Sequence, residues 1–183
     1  RKSITFIIMN YGEIKNCDIA NGIGVRVSLF VSGCRNHCKN CFNPMTWAFD
    51  YGKEFTNYTK EALIDSLKKD YIEGLTILGG EPFEPENQEQ VLDLIKEVRK
   101  EVPNKTIWVY SGFTYEELMG VEQSRASLPS AKEILSLIDI LVDGKFVEEL
   151  KDIRLKFRGS SNQRIIDIKE TNKQGKIVLS SLN

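Results

Sequence analysis

Four short apolar runs rich in β-branched residues recur along the chain, and each stops at small or polar residues. Val25 to Val31 runs into Ser32-Gly33, Leu75 to Leu78 into Gly79-Gly80, Thr106 to Tyr110 into Ser111-Gly112, and Ile140 to Val142 into Asp143-Gly144. Such runs read as buried strands. The segments between them carry apolar residues at helical spacing: Leu63, Ile64, Leu67 and Tyr71, then Val91, Leu92, Ile95 and Val98, then Ile134, Leu135 and Ile138. Thr59 is the expected N-cap of the first helix and Gly74 its stop, while Pro103 closes the second. Strands alternating with helices imply βαβ units and a parallel sheet. The expected fold is therefore α/β, an open or partial parallel β/α barrel, in one domain over residues 1–183. Ligands bind at the carboxyl ends of strands in such sheets, so the four small-residue ends should share one functional edge. Two later segments, Leu155 to Phe157 and Ile165 to Ile168, alternate like strands but have no assigned place.

The loop after the first strand contains Cys34, Cys38 and Cys41 in C-x3-C-x2-C spacing. Cysteine thiolates hold iron–sulfur clusters, and an electron-transfer [4Fe–4S] centre uses four. Three ligands leave one iron open to a substrate or cofactor. The competing reading is a zinc site completed by His37 or Cys17. His37 is adjacent to Cys38, which makes joint chelation awkward, so it reads as a loop residue. Cys17 either closes a four-cysteine, ferredoxin-like centre or is a small buried apolar residue, and the second reading is adopted. One cysteine outside the triplet cannot build a second cluster, so an electron for the first must arrive from another protein.

Gly79-Gly80-Glu81-Pro82 ends the second strand. Glycines let a ligand approach the backbone closely, and free carbonyls with the Glu81 carboxylate can accept hydrogen bonds from an ammonium group. Ser111-Gly112 and Asp143-Gly144-Lys145 are ordinary turns taken singly, but they belong to the same expected edge. Phe42 and Trp47 are expected to pack around the cysteine loop.

Composition excludes several classes. The 183 residues carry 25 basic and 26 acidic side chains, a net charge of −1, which argues against a nucleic-acid binder. The early apolar run from Ile4 to Met9 is too short for a membrane span and has no cleavage site after it. Clustered cysteines without a secretory signal point to metal chemistry in the reducing cytoplasm.

The cysteine spacing, with a strand-terminal GGE about forty residues downstream, resembles the signature of the radical S-adenosylmethionine (SAM) superfamily. Within it, the chain is similar to the activating enzymes of anaerobic (class III) ribonucleotide reductases. That likeness rests on Asp18 to Arg26, Leu29 to Cys34, Cys41 to Pro44, Thr46-Trp47, Gly79 to Pro82, Val142 to Phe146 and Phe157 to Arg164. Val121 to Ser130 looks like an insertion, and the tail beyond Thr171 looks extended, with neither expected to touch a motif.

The resemblance implies a partial barrel of the radical SAM type. It implies one [4Fe–4S] cluster on Cys34, Cys38 and Cys41, with SAM on the open iron. Asn40, Cys41 and Phe42 would flank SAM, and Gly79, Gly80 and Glu81 would receive its amino group. Ser111, Asp143 and Lys145 are further candidate SAM contacts. The implied reaction is reductive cleavage of SAM, using an external donor such as flavodoxin or ferredoxin, and hydrogen abstraction from a glycine on the reductase large subunit. The alternatives are activation of a formate-lyase-type glycyl radical enzyme, or a non-enzymatic four-cysteine electron-transfer or zinc module.

Overall fold

The computed structural model describes residues 8–183, so residues 4–7 of the early apolar run lie outside the described residues. A seven-stranded mixed sheet, not closed into a barrel, organises the chain in the order β3-β1-β2-β4-β5-β6-β7. Its centre is the parallel set β2 (Arg26–Val31), β4 (Gly74–Gly79), β5 (Thr106–Tyr110) and β6 (Ile140–Asp143). These are the four runs that end in small residues. Antiparallel strands extend both sides: β1 (Asn10–Asp18) and the short β3 (Lys53–Glu54) on one, β7 (Arg164–Asp167) on the other.

Helices α1 (Asn57–Leu67), α2 (Pro85–Glu101) and α4 (Pro129–Leu137) join the strands, with a one-turn α3 (Tyr115–Leu118) after β5, and α5 (Ile168–Gln174) follows β7. Helix α1 begins a little earlier than the Thr59 cap would place it. Thr56 is the N-cap, and its hydroxyl accepts the Thr59 amide at 3.2 Å. Leu63, Ile64 and Leu67 are buried, but the helix ends before Tyr71, which is exposed, and Gly74 opens β4 rather than closing α1. Prolines at the starts of α2 and α4 supply the helical φ without forfeiting a hydrogen bond.

Side chains alternate across the strands. Val27, Leu29, Leu75, Ile77, Ile107, Val109, Leu141 and Ile166 face the helices and form the main core with Val91, Ile95 and Ile134. The opposite face presents Phe30, Leu78, Trp108, Tyr110, Val142 and Ile165, and loops rather than helices roof it. The Phe157 ring meets the Trp108 ring edge-on at 5.4 Å. This half-covered face is the structural basis of the site. Of the two unplaced segments, Ile165 to Ile168 supplies β7 and the start of α5, whereas Leu155 to Phe157 belongs to the roof. The tail folds back on β7 through the Asp167 amide to the Val178 carbonyl, 2.9 Å, and the Ser180 amide to the Ile165 carbonyl, 2.8 Å.

Candidate active site

At the carboxyl edge of the parallel strands lies a cavity of about 490 Å³, lined by all three clustered cysteines together with Phe42, Gly79, Gly80, Glu81, Ser111 and Gly112. The edge predicted from four strand endings is thus one continuous surface. Two contacts draw it together. The Gly33 amide donates to the Thr46 carbonyl at 2.7 Å, and the Glu81 amide donates to the Gly33 carbonyl at 2.9 Å. Gly80 has a packing reason to lack a side chain, because a Cβ there would stand 2.7 Å from the Gly33 oxygen and 2.8 Å from that of Thr46.

The thiols are unpaired. Burial pushes the Cys34 thiol up to about 12, against the pull of the Asn36 and His37 amides. Burial raises Cys38 as well, and Cys41 beside it adds to this, while the Phe146 amide and Lys145 ammonium act the other way. Cys41 sulfur accepts the Asn43 amide at 3.4 Å. These surroundings disfavour bare thiolates and suit thiolates neutralised by iron, whose binding displaces the protons.

Among the described residues, no three Cys, His, Asp or Glu side chains gather as they would around one metal ion. Zinc holds its thiolates ~2.3 Å from a single point. The three thiols line one cavity, where each could bind a different iron of a four-iron cluster. Cys17 cannot join them. It sits near the end of β1 that pairs with the start of β2, so the length of β2, on the order of 20 Å, separates it from Cys34. It is exposed, which corrects the expectation of burial: β3 covers β1 only at Asn10 and Tyr11, leaving the far end of the strand open. A module closed by four cysteines is therefore not available to this fold.

Glu81 is the most constrained group in the cavity. One carboxylate oxygen accepts the Ser111 hydroxyl at 2.8 Å and the Phe83 amide at 3.0 Å, and the other accepts the Gly112 amide at 2.7 Å. Complete burial nevertheless pushes its carboxyl up to about 7. A buried carboxylate without a cationic partner is poised to receive one. A Cβ at Gly112 would fall 2.4 Å from the Asn36 side-chain nitrogen, which would have to swing aside, and 3.4 Å from a Glu81 carboxylate oxygen.

Three predicted residues stand outside the cavity wall. Asn40 occupies the left-handed region (φ 56°) on the exposed tip of the cysteine loop. Asp143 is buried, but its carboxylate accepts two guanidinium bonds from Arg164, 2.6 and 3.0 Å, and the Tyr115 amide at 2.7 Å. Lys145 is exposed, beside Cys38. Trp47 lines the cavity and stacks on His37 at 4.3 Å, so the histidine is a loop-packing residue. Phe42 is 75 % exposed and packs against Phe146 at the cavity mouth, with ring centres 5.4 Å apart.

A second carboxylate escaped the sequence reading. Glu84, with no exposed side-chain surface, accepts the Arg35 amide at 2.9 Å, the Arg35 guanidinium at 2.8 Å and the Arg125 guanidinium at 2.6 and 3.1 Å. Arg125 also reaches the Asn36 side-chain oxygen at 3.2 Å. The Val121 to Ser130 stretch therefore does touch a motif, because its arginine latches the cysteine loop to the residue that caps α2.

Comparison with known proteins gives this site a family. The profile of a "4Fe-4S single cluster domain" matches residues 20–166. An anaerobic ribonucleoside-triphosphate reductase-activating protein of Escherichia coli K12 is 40% identical over 157 residues, 85% of this chain and 96% of the relative. The protein of that name from Haemophilus influenzae is 42% identical over 159 residues, 86% and 97% of the two chains. That from phage T4 is 39% identical over 157 residues, 86% and 93%. Among the described residues, no helix is long and apolar enough to cross a membrane. With the profile spanning most of the chain and relatives matched nearly end to end, the protein belongs to the anaerobic ribonucleoside-triphosphate reductase-activating protein family and carries its 4Fe-4S single cluster domain.

Proposed function

We propose that this chain activates an anaerobic ribonucleoside-triphosphate reductase by radical SAM chemistry, as one domain in which the four parallel strands and their helices form an open β/α barrel of the radical SAM type. The observation that carries the reading is the convergence of Cys34, Cys38, Cys41 and the buried Glu81 on one cavity, with the fourth cysteine far away. The names of the relatives favour the reductase over a formate-lyase-type enzyme as the target.

Cys34, Cys38 and Cys41 hold the cluster and leave one iron for SAM. Gly79 and Gly80 allow close approach, and the Glu81 carboxylate accepts the SAM ammonium group, which lowers the cost of burying that carboxylate. Ser111 and Gly112 fix the orientation of Glu81. Cys41 and Phe42 flank SAM at the mouth, whereas Asn40, outside the cavity wall, holds the turn of the cysteine loop. Asp143 acts indirectly, by fixing Arg164 and the Tyr115 amide, and Lys145 sets the charge beside Cys38. A cluster and SAM bound there, given one electron by an external donor such as a flavodoxin or ferredoxin, would supply the chemistry that removes a hydrogen atom from a glycine of the reductase large subunit, with SAM leaving as methionine and 5′-deoxyadenosine.

The test is anaerobic reconstitution with iron and sulfide, reduction with dithionite, and addition of SAM and the large subunit. Formation of 5′-deoxyadenosine and a glycine-centred radical signal is expected. Neither product from a protein with four irons bound would refute the proposal.

A further inference from the structure

One side of the cavity mouth is a small lobe between β6 and β7. The chain runs out and returns as a short hairpin in which Lys151 bridges Ser160. The Ser161 amide donates to the Leu150 carbonyl at 2.9 Å, and the Asp152 amide to the Gly159 carbonyl at 3.3 Å. Gly159 lets the returning arm lie close to two rings, since a Cβ there would stand 3.1 Å from the Phe146 ring and 3.3 Å from that of Phe42. The lobe has two faces. Leu155 and Phe157 line the cavity, and the Phe157 ring is pinned against Trp108. Lys156 between them is exposed, as are Leu150 and Lys151, and Ile153 at the turn is 91% exposed.

The exposed Phe42 ring joins this outer face, with the Lys151 ammonium 5.7 Å from its centre. Single exposed apolar side chains are ordinary, but Phe42, Leu150 and Ile153 together beside one cavity mouth, bordered by charge, mark an interaction surface. The border is basic. Lys39, on the tip of the cysteine loop, pairs with Glu149 at 3.8 Å, and Arg154 pairs with Asp152 at 2.8 Å. Glu148 is the remaining acid of the lobe, and one of its carboxylate oxygens is buried. Lys145, Lys151 and Lys156 are exposed and form no ion pair among the described residues. The whole chain carries a net charge of −1, so this excess of cations is local.

Hydrogen transfer decides what covers this surface. The acceptor α-carbon has to come within ~3.5 Å of the reacting carbon inside the cavity, so the protein that carries it must close over the mouth. An electron donor has no such need, and a second copy of this chain seated there would shut the acceptor out. We propose that the outer face of the 148–158 lobe, with Phe42, is the docking surface for the reductase large subunit, and that the partner's surface beside its acceptor glycine is acidic. The proposal rests on the reductase-activating function above. The lysines steer the acidic partner to the mouth and speed encounter, while Phe42, Leu150 and Ile153 hold it once water has left.

The test uses reconstituted, SAM-loaded protein carrying Ile153→Asp or the double change Lys151→Glu with Lys156→Glu. Tyr71→Asp is the control, an exposed site just before β4 and so at the opposite edge of the sheet. Affinity and association rate for the large subunit are measured at low and high salt, with iron content, SAM affinity and oligomeric state followed alongside. Ile153→Asp should weaken large-subunit affinity about 10- to 100-fold at either salt concentration, the worth of burying that side chain. The double lysine change should slow association about 10-fold at low salt and by less than about twofold at high salt. Iron content and SAM affinity should match wild type in every variant, and Tyr71→Asp should bind the large subunit normally. Wild-type affinity and association in both lobe variants overturn the docking surface. So does a changed oligomeric state with large-subunit affinity intact, which makes the patch a self-association face. Slower reduction by a flavodoxin with unchanged large-subunit binding overturns it in favour of the electron donor. If the wild-type protein neither binds the large subunit nor transfers hydrogen from it, the proposed function fails and takes the surface with it. Wild-type transfer matched by both lobe variants removes the surface alone.

Discussion

Glu81 and Glu84 lie three residues apart in one loop, both buried, and their surroundings give them opposite properties. Around Glu81 the partners are neutral: a hydroxyl, two backbone amides and, at 3.4 Å, the Asn36 side-chain amide. Burial wins, and the carboxyl rises to about 7. Around Glu84, burial also acts upward, but hydrogen bonds from Arg125 and Arg35 outweigh it and hold the carboxyl below its ordinary range. The first carboxylate faces a cavity and lacks a cation, whereas the second already has two. Charge supply, not burial, separates a group that awaits a ligand from one that fastens a loop.

Glu84→Ala should be the most damaging single change in this pair. It strands the Arg125 guanidinium, leaves Arg35 with Glu86 as its one carboxylate partner, and loosens the cysteine loop. Breaking a buried pair costs about 3–5 kcal/mol, and the low end applies because both arginines keep contact with water. Chemical denaturation should show that loss, together with reduced iron retention, while SAM affinity per intact cluster stays near wild type. Next in size, Glu81→Gln should weaken SAM binding about 10- to 100-fold, the worth of a charge-assisted hydrogen bond, with iron content unchanged. Equal effects of both substitutions on SAM affinity would erase the distinction.

The pH dependence of the cluster-free chain sharpens the contrast further. A raised Glu81 stabilises the fold most at or below its unfolded value of 4.5, and that stability is lost as pH rises through about 7. A lowered Glu84 contributes stability above 4.5 that is lost as pH falls through its folded value. Glu81→Gln should therefore flatten the decline in melting temperature between pH 5 and 8, and Glu84→Gln should leave that decline in place. Smallest of all, Cys17→Ala should change stability by no more than ~0.5 kcal/mol and leave iron content intact.

The parallel core and its functional edge were legible because each signal is local. An apolar run followed by glycine or serine writes a strand and its end within ten residues. What stayed hidden depends on distant pairings. Asp143 reads as a free strand-terminal carboxylate until β7 sets Arg164 directly opposite it. Glu84 reads as an ordinary helix-leading acid until a segment resembling an insertion returns Arg125 to it. Cys17 reads as core because isolated cysteines usually are, yet β3 is too short to cover that end of β1. Tyr110 carries no signal at all, because its place on the uncovered face follows from which side the helices chose.

The most direct test of the central claim is the electron paramagnetic resonance spectrum of the reduced, reconstituted protein before and after SAM is added. A cluster held by Cys34, Cys38 and Cys41 alone must change its spectrum when SAM takes the open iron, and Cys17→Ala must behave identically. An intact four-iron cluster whose spectrum ignores SAM would mean that a fourth protein ligand closes it, and the account would be wrong.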